Sequence, residues 1–310
     1  MASTSPEPRV DPRDPASMLR SHPVLLLAGL PTDAIVRRLL RAWNPCAELP
    51  DIAEGVRWAG PYRLDTIGAA EAGLPLGWAT AYAAQTVRGR MRVPDGPGAE
   101  ELRRRFPHGI PTGTEAVAWS LVTGLARRLD GAARLPADER RARWSMRSLS
   151  LSRPFSLPQS LSLRGRARGA DELMVLRPRR QQSTYCVYGN EALSWSVLRS
   201  VLGRSLPGLD RNGALADDDY CLDRADSFEV RVEPFRAGEF LPYALRPRAA
   251  DGWPCAVYRF RCLPQSRATD AERIDVQLRT AAFQLADVVG GMSVDGEGFP
   301  VTAPVPAARL

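Results

Sequence analysis

The sequence predicts an α+β chain of two tandem modules. Three observations carry that expectation: strand-like and helix-like apolar patterns alternate, their order in the first half recurs in the second, and an arginine-rich stretch of different character separates the halves. A chain of 310 residues commonly forms about two domains, each able to bury a core.

Residues 1–22 combine Pro, Ser and compensating charges and are expected to be a disordered tail, since they carry too little apolar surface to offset the entropy of ordering. Pro23 to Leu30 is an apolar run bounded by Pro and by Gly-Leu-Pro, which suits a buried strand. Thr32 stands at an N-cap position and Asp33 in a first turn. Ile35, Val36, Leu39 and Leu40 then recur at helical spacing until Asn44 and Pro45 stop the helix near Trp43. Weaker patterns place strands around Arg57 to Leu64 and Thr80 to Arg92. Thr112 and Glu115 have the spacing of a capping box, in which hydroxyl and carboxylate satisfy orphan N–H groups reciprocally. Val117, Leu121, Leu125 and Leu129 step in fours behind it, and Asp130 and Gly131 end the helix.

The second half repeats this order. Ser183 to Gly189 reads as a strand, and Val197, Leu198, Val201 and Leu202 as one face of a helix ending at Gly203. Phe228, Val230 and Val232 alternate with Glu229, Arg231 and Glu233, and Ala256, Tyr258, Phe260 and Cys262 alternate with Val257, Arg259 and Arg261. If these two strands pair, their Glu and Arg rows face each other on the solvent side. Thr269 and Glu272 repeat the capping-box spacing. Ile274, Leu278, Ala281, Leu285 and Val288 form the following buried stripe, Gly290 and Gly291 stop it, and Met292 to Val301 returns as a strand.

Each half therefore reads strand, helix, two strands, helix, strand. With both helices on one sheet face, that order is the split βαβ of ferredoxin-like folds. Leu125, Ala126, Leu129 and Gly131 recur as Leu285, Ala286, Val289 and Gly291 at an offset of 160, so an internal duplication is expected. The expected organisation is a tail over 1–22, modules over 23–139 and 181–301, a basic segment over 140–180, and a tail over 302–310. Within the basic segment, Leu149, Leu151, Leu161 and Leu163 alternate with Ser around Pro154 to Pro158, the pattern of an inserted hairpin or of a low-complexity linker.

Arginine supplies all 42 strongly basic side chains; the chain contains no lysine. That excludes Schiff-base chemistry, a Walker-type phosphate loop and a lysine general base. Scarce Lys, Asn and Ile beside plentiful Arg, Ala, Gly and Pro are the mark of a GC-rich genome, and a bacterial source is expected. Cys46, Cys186, Cys221, Cys255 and Cys262 form no C-x-x-C pair, which argues for reduced, buried thiols in a cytoplasmic protein. No run approaches the roughly 20 apolar residues of a membrane span.

Charge is uneven: residues 101–180 hold 17 Arg against 7 acidic residues, whereas 181–310 hold 14 against 17. Within the basic stretch, Arg164, Arg166, Arg168, Arg177, Arg179 and Arg180 are the candidate polyanion-binding residues, because guanidinium groups grip phosphate bidentately and a Gly-punctuated basic run can follow a nucleic-acid backbone. Asp217, Asp218, Asp219, Asp223 and Asp226 crowd what reads as a loop. Cys221 and Leu222 break calcium-loop spacing there, so a solvated acidic loop is expected rather than a metal site. Of two histidines, His22 falls in the tail, and His108 lacks a partner at recognisable spacing. Tyr185, Tyr188, Tyr258 and Phe260 lack the pattern of an RNA-recognition strand and are expected in the core. No catalytic residue, metal or cofactor is assigned. The expected function is a non-catalytic cytoplasmic interaction protein with a protein partner and no membrane association. A polyanion or nucleic-acid binder comes second, and an enzyme using His108 or a carboxylate pair third.

Overall fold

The computed structural model describes residues 14–31, 33–96, 99–100, 103, 106, 109–136, 175–176, 184–207, 210–216, 219–224, 228–236, 239–249, 252–262 and 268–302. The fold is α+β, as the patterns predict. Two compact units divide the chain: Met1–Arg37 with Ala47–Pro178, and Arg38–Cys46 with Arg179–Leu310.

The first unit opens with α1 (Pro15–Ser21) and β1 (Val24–Leu27), and α2 (Asp33–Trp43) straddles the division, its residues from Arg38 belonging to the second unit. β2 (Asp51–Ala53), β3 (Val56–Arg63), α3 (Thr66–Glu71) and β4 (Thr80–Thr86) follow. A short ladder of β5 (Arg90–Met91) with β6 (Ile110–Pro111) leads to α4 (Gly113–Arg128), β7 (Ala132–Arg134) and β8 (Val175–Leu176). The main sheet runs β2-β3-β4-β1-β7-β8, antiparallel throughout. α4 packs on β1, β4 and β7, while α1 and α3 cover a face made of Val24, Leu26, Ala81, Ala83 and Ala132.

The helix at Pro15–Ser21 corrects the expectation of a tail reaching residue 22. Asp14 accepts the N–H groups of Ala16 and Ser17 at 3.0 and 3.1 Å, and Pro15 occupies the first turn where its missing N–H is harmless. Met18 and Leu19 then bury against the sheet. At the other end of α1, Arg134, only 3% exposed, donates from Nη1 to the carbonyls of Leu19 (3.1 Å) and Ala72 (3.5 Å). A cation thus meets the negative ends of two helices. His22 follows directly, and its Nδ1 accepts the Thr86 N–H at 3.3 Å.

The first capping box does not form. Thr112 is the N-cap residue of α4 but makes no side-chain cap bond, and Glu115 is completely buried. Its carboxylate instead takes Arg90, with the Nη2–Oε1 contact at 2.7 Å, and accepts the Gly89 N–H at 3.1 Å. A fully buried carboxylate needs its donors and counter-charge more than a helix terminus needs a cap.

The second unit contains β9 (Thr184–Gly189), α5 (Trp195–Leu202), β10 (Asp210–Ala216), β11 (Asp219–Arg224), β12 (Phe228–Pro234), a 3₁₀ helix (Tyr243–Arg248), β13 (Ala256–Cys262), α6 (Ala268–Val288) and β14 (Met292–Asp295). Its antiparallel sheet runs β10-β11-β12-β13-β9-β14. Tyr185, Val187, Val230, Tyr258 and Phe260 face Leu198 and Leu202 of α5 and Leu278 and Leu285 of α6 in one core. Thr269 lies inside α6 rather than at the N-cap position that its spacing from Glu272 suggests. Val197 and Val288 are exposed, and Val289 takes the buried place expected of Val288.

Four strands recur in the same chain order, second-third-first-fourth: β3-β4-β1-β7 and β12-β13-β9-β14. The rung Tyr62–Ala81–Leu26–Ala132 has the register of Glu233–Val257–Tyr188–Met292. The helix stops match too. Asp130 and Gly290 adopt φ of 54° and 57°, and the N–H groups of Gly131 and Gly291 return to the carbonyls of Ala126 and Ala286 at 2.7 and 2.8 Å. A Cβ on Gly131 would strike the Leu26 carbonyl, and one on Gly291 the Tyr188 carbonyl. Both helices thus deliver the fourth strand beside the first by one device.

Candidate functional site

β12 and β13 are joined by the connection 235–255, in which the described residues hold one element of regular structure, the 3₁₀ helix. Connections this long inside a compact unit are uncommon and often carry function. The chain fastens it at several points. The Phe235 N–H donates to the Cys255 carbonyl at 2.8 Å, and the Phe235 ring meets Tyr188 edge-on at 6.1 Å. Leu241, Ala244, Leu245 and Trp253 pack against Cys186, Tyr188, Val257 and Val294, covering the sheet face opposite α6. The Glu239 carboxylate lies 3.9 Å from Arg259.

Pro242 leads into the 3₁₀ helix, where Leu245 N–H returns to the Pro242 carbonyl at 2.9 Å, and this turn presents Tyr243 to Trp43. The two rings stack with centroids 4.8 Å apart. Trp43 is fixed in turn, because its Nε1–H donates to the Glu297 carbonyl at 2.9 Å. Asp295 holds that turn by accepting the Glu297 and Phe299 N–H groups, each at 3.0 Å. One turn beyond Tyr243, the Arg246 guanidinium carbon sits 3.8 Å from the Tyr243 ring centroid and 5.7 Å from that of Phe240. Phe240 meets Tyr243 edge-on at 5.8 Å and remains 59% exposed.

Beside this patch, the solvent rows of β12 and β13 pair as the alternation predicts. Glu233 joins Arg259 at 3.1 Å and Arg231 at 3.4 Å, which offsets the like-charge register of Arg231 with Arg259, and Glu229 reaches Arg261 at 3.8 Å. Such pairs contribute about 1 kcal/mol or less each. Arg246 is different: among the described residues it makes no ion pair, and Arg236 and Arg248 near it are exposed. Behind the patch, burial pushes the Cys186 thiol up, partly countered by the Arg259 guanidinium, which disfavours the reactive thiolate.

The sequence-predicted sites fare unevenly. Arg164, Arg166, Arg168, Arg177, Arg179, Arg180 and His108 lie outside the described residues. Of the acidic loop, Asp219 and Asp223 are corrected, since Asp219–Arg224 is β11, between β10 and β12, while Asp217, Asp218 and Asp226 lie outside the described residues. Tyr185, Tyr188, Tyr258 and Phe260 are core residues, as read. Tyr185 donates to Asp275 at 2.8 Å, and burial followed by that carboxylate raises its phenol well above the usual range. Cys46 and Cys255 are exposed free thiols, contrary to the expectation that the cysteines are buried. Among the described residues no group of three metal-ligating side chains occurs, and no helix is long and apolar enough to cross a membrane. The aromatic patch escaped sequence reasoning because Trp43 and Tyr243 lie far apart in the chain; the available signal was the long connection with its Phe240, Tyr243 and Arg246. Comparison with protein-family models, curated proteins and solved structures finds no match to this chain.

Proposed function

We propose that the chain is a non-catalytic cytoplasmic interaction protein of a GC-rich bacterium, built from two ferredoxin-like modules that arose by duplication. Support for the duplication comes from the matched strand order and from the paired terminators at Gly131 and Gly291. Free cysteines suit a reducing compartment. The observation that carries the interaction reading is the Phe240–Tyr243–Arg246 patch: aromatic residues and Arg are the side chains enriched at energetic centres of protein interfaces, and a large aromatic ring exposed beside a stacked guanidinium has that composition. The test is capture of partners from the native cytoplasm by the intact chain, with nuclease treatment as a control arm. Proteins retained by wild type after nuclease and lost with Phe240→Ala are the expected outcome. Equal retention by both chains would remove the patch as the interface.

A second reading rests on a different observation, the excess of 17 Arg over 7 acidic residues across 101–180. Here Arg164, Arg166, Arg168, Arg177, Arg179 and Arg180 bind a polyanion. Replacing Arg164, Arg166 and Arg168 by Gln should weaken binding to single-stranded nucleic acid and reduce the salt slope by roughly 0.7 per lost phosphate contact. Unchanged affinity in the triple variant would dispose of this reading.

A further inference from the structure

We infer that the patch formed by Phe240 and Arg246 docks an acidic, apolar peptide segment of a protein partner, one carboxylate lying in the plane of the Arg246 guanidinium and an adjoining apolar side chain lying on Phe240. This rests on the interaction reading above and names the chemistry of the partner. Three observations lead to it. First, Arg246 is held by ring faces and not by charge: its guanidinium carbon is 3.8 Å from the Tyr243 centroid, and it makes no ion pair among the described residues. Stacking occupies the faces of a guanidinium and leaves its edge donors, which match the two oxygens of a carboxylate. The sheet arginines Arg231, Arg259 and Arg261 are each engaged by Glu229, Glu233 or Glu239, so Arg246 stands apart from them.

Second, the platform is rigid before any ligand arrives. Tyr243 is clamped by Trp43 at 4.8 Å, and Trp43 is hydrogen-bonded to the Glu297 carbonyl at 2.9 Å. Tyr243 therefore has little side-chain entropy left to lose when Arg246 above it is engaged, which favours binding at a preformed site. Third, Phe240 is 59% exposed next to that donor, so apolar contact and charge pairing are available to one short segment.

Charge complementarity selects the occupant. Arg236, Arg246 and Arg248 are exposed on this connection, and Glu239 is already directed to Arg259. The positive field is therefore local. Across β12 and β13 the arginines are matched by Glu229, Glu233 and Glu239, so no run of uncompensated cations continues the patch for a phosphodiester chain, whereas a peptide presenting one or two acids among apolar residues needs only the local charge.

Selection of a displayed random-peptide library on the full-length chain tests this, followed by affinity measurement with labelled copies of the selected peptides against wild type, Phe240→Ala and Arg246→Gln. Binding is read on three proteins whose unfolding midpoints are first shown to agree, as expected for exposed side chains. Selected peptides should carry Asp or Glu beside an aromatic or aliphatic residue, lose at least about tenfold in affinity with either variant, and lose as much when their acid is replaced by its amide. Peptides lacking an acid, or binding that survives Arg246→Gln while failing with Phe240→Ala, would overturn the carboxylate assignment and leave the interaction surface standing. No selection above that seen with the double variant would overturn both. Stronger competition by a single-stranded oligonucleotide than by the free acidic peptide would transfer the patch to nucleic acid.

Discussion

The faces of the two sheets turned away from α4 and α6 carry one strand order under two different covers. In the first unit that face is small: Leu26 is flanked by Ala81 and Ala132, with Ala83 nearby, and two helices, α1 and α3, settle on it. In the second unit the equivalent rung is Val257, Tyr188 and Met292, and the cover is an irregular connection with one 3₁₀ helix. Where alanines leave space above a sheet, a helix layer can fill it; where the strands fill the space with their own side chains, a thinner cover suffices. Strand order is set elsewhere, by the helix stops that bring the fourth strand beside the first. Freed from packing a helix layer, the second cover can expose Phe240.

The sharpest way to break the equivalence is at those stops. Gly131→Ala and Gly291→Ala each place a methyl group against a strand carbonyl, and each is expected to destabilise its unit by about 3 kcal/mol, the upper end of overpacking effects. Urea unfolding followed by tryptophan fluorescence measures both. A large loss at one position and none at the other would mean that the two stops are not the same device.

A smaller effect sharpens the contrast between covers. Arg134→Leu deprives the Leu19 and Ala72 carbonyls of their donor, and a loss of about 1 to 3 kcal/mol is expected. Amide exchange should quicken in Pro15–Ser21 and Thr66–Glu71 and stay unchanged in the second unit. Uniform quickening across both units would show that Arg134 is not a local fastener.

The smallest effect is a pH dependence confined to the first cover. Burial, then the Arg88 guanidinium, hold His22 below its ordinary value of 6.5, while the bond with Thr86 and the Glu115 carboxylate oppose the shift. The folded chain thus favours neutral imidazole, so His22 costs nothing above pH 6.5, and stability falls as pH drops from 6.5 through the lowered folded value. His22→Gln keeps an acceptor for the Thr86 N–H and should remove this part of the acid sensitivity. Identical pH profiles for wild type and variant would show that His22 does not sense protons.

Strands and helix faces were legible wherever alternation or helical spacing coincided with burial. Val230 and Val232 on β12 and Leu121, Leu125, Leu278 and Leu285 on the long helices are all fully buried as expected. Signals read in isolation failed. Asp14 and Pro15 start α1, but the surrounding composition masked them. The Thr112 to Glu115 spacing describes a cap and a buried acid equally well, and only Arg90, 25 residues upstream, decides between them. The candidate site depended on the same kind of distant meeting, between Trp43 and Tyr243.

The carbonyl of Leu19 that Arg134 holds lies 115 residues earlier in the chain. During synthesis α1 leaves the ribosome well before the cation that secures its carboxyl end is made. Local helix formation is fast, but this tie must wait for the loop from Leu19 to Arg134 to close. α1 is therefore made long before it is locked. Nascent chains arrested before Arg134 should leave Pro15–Ser21 open to protease, and chains arrested once Arg134 has cleared the exit tunnel should protect it.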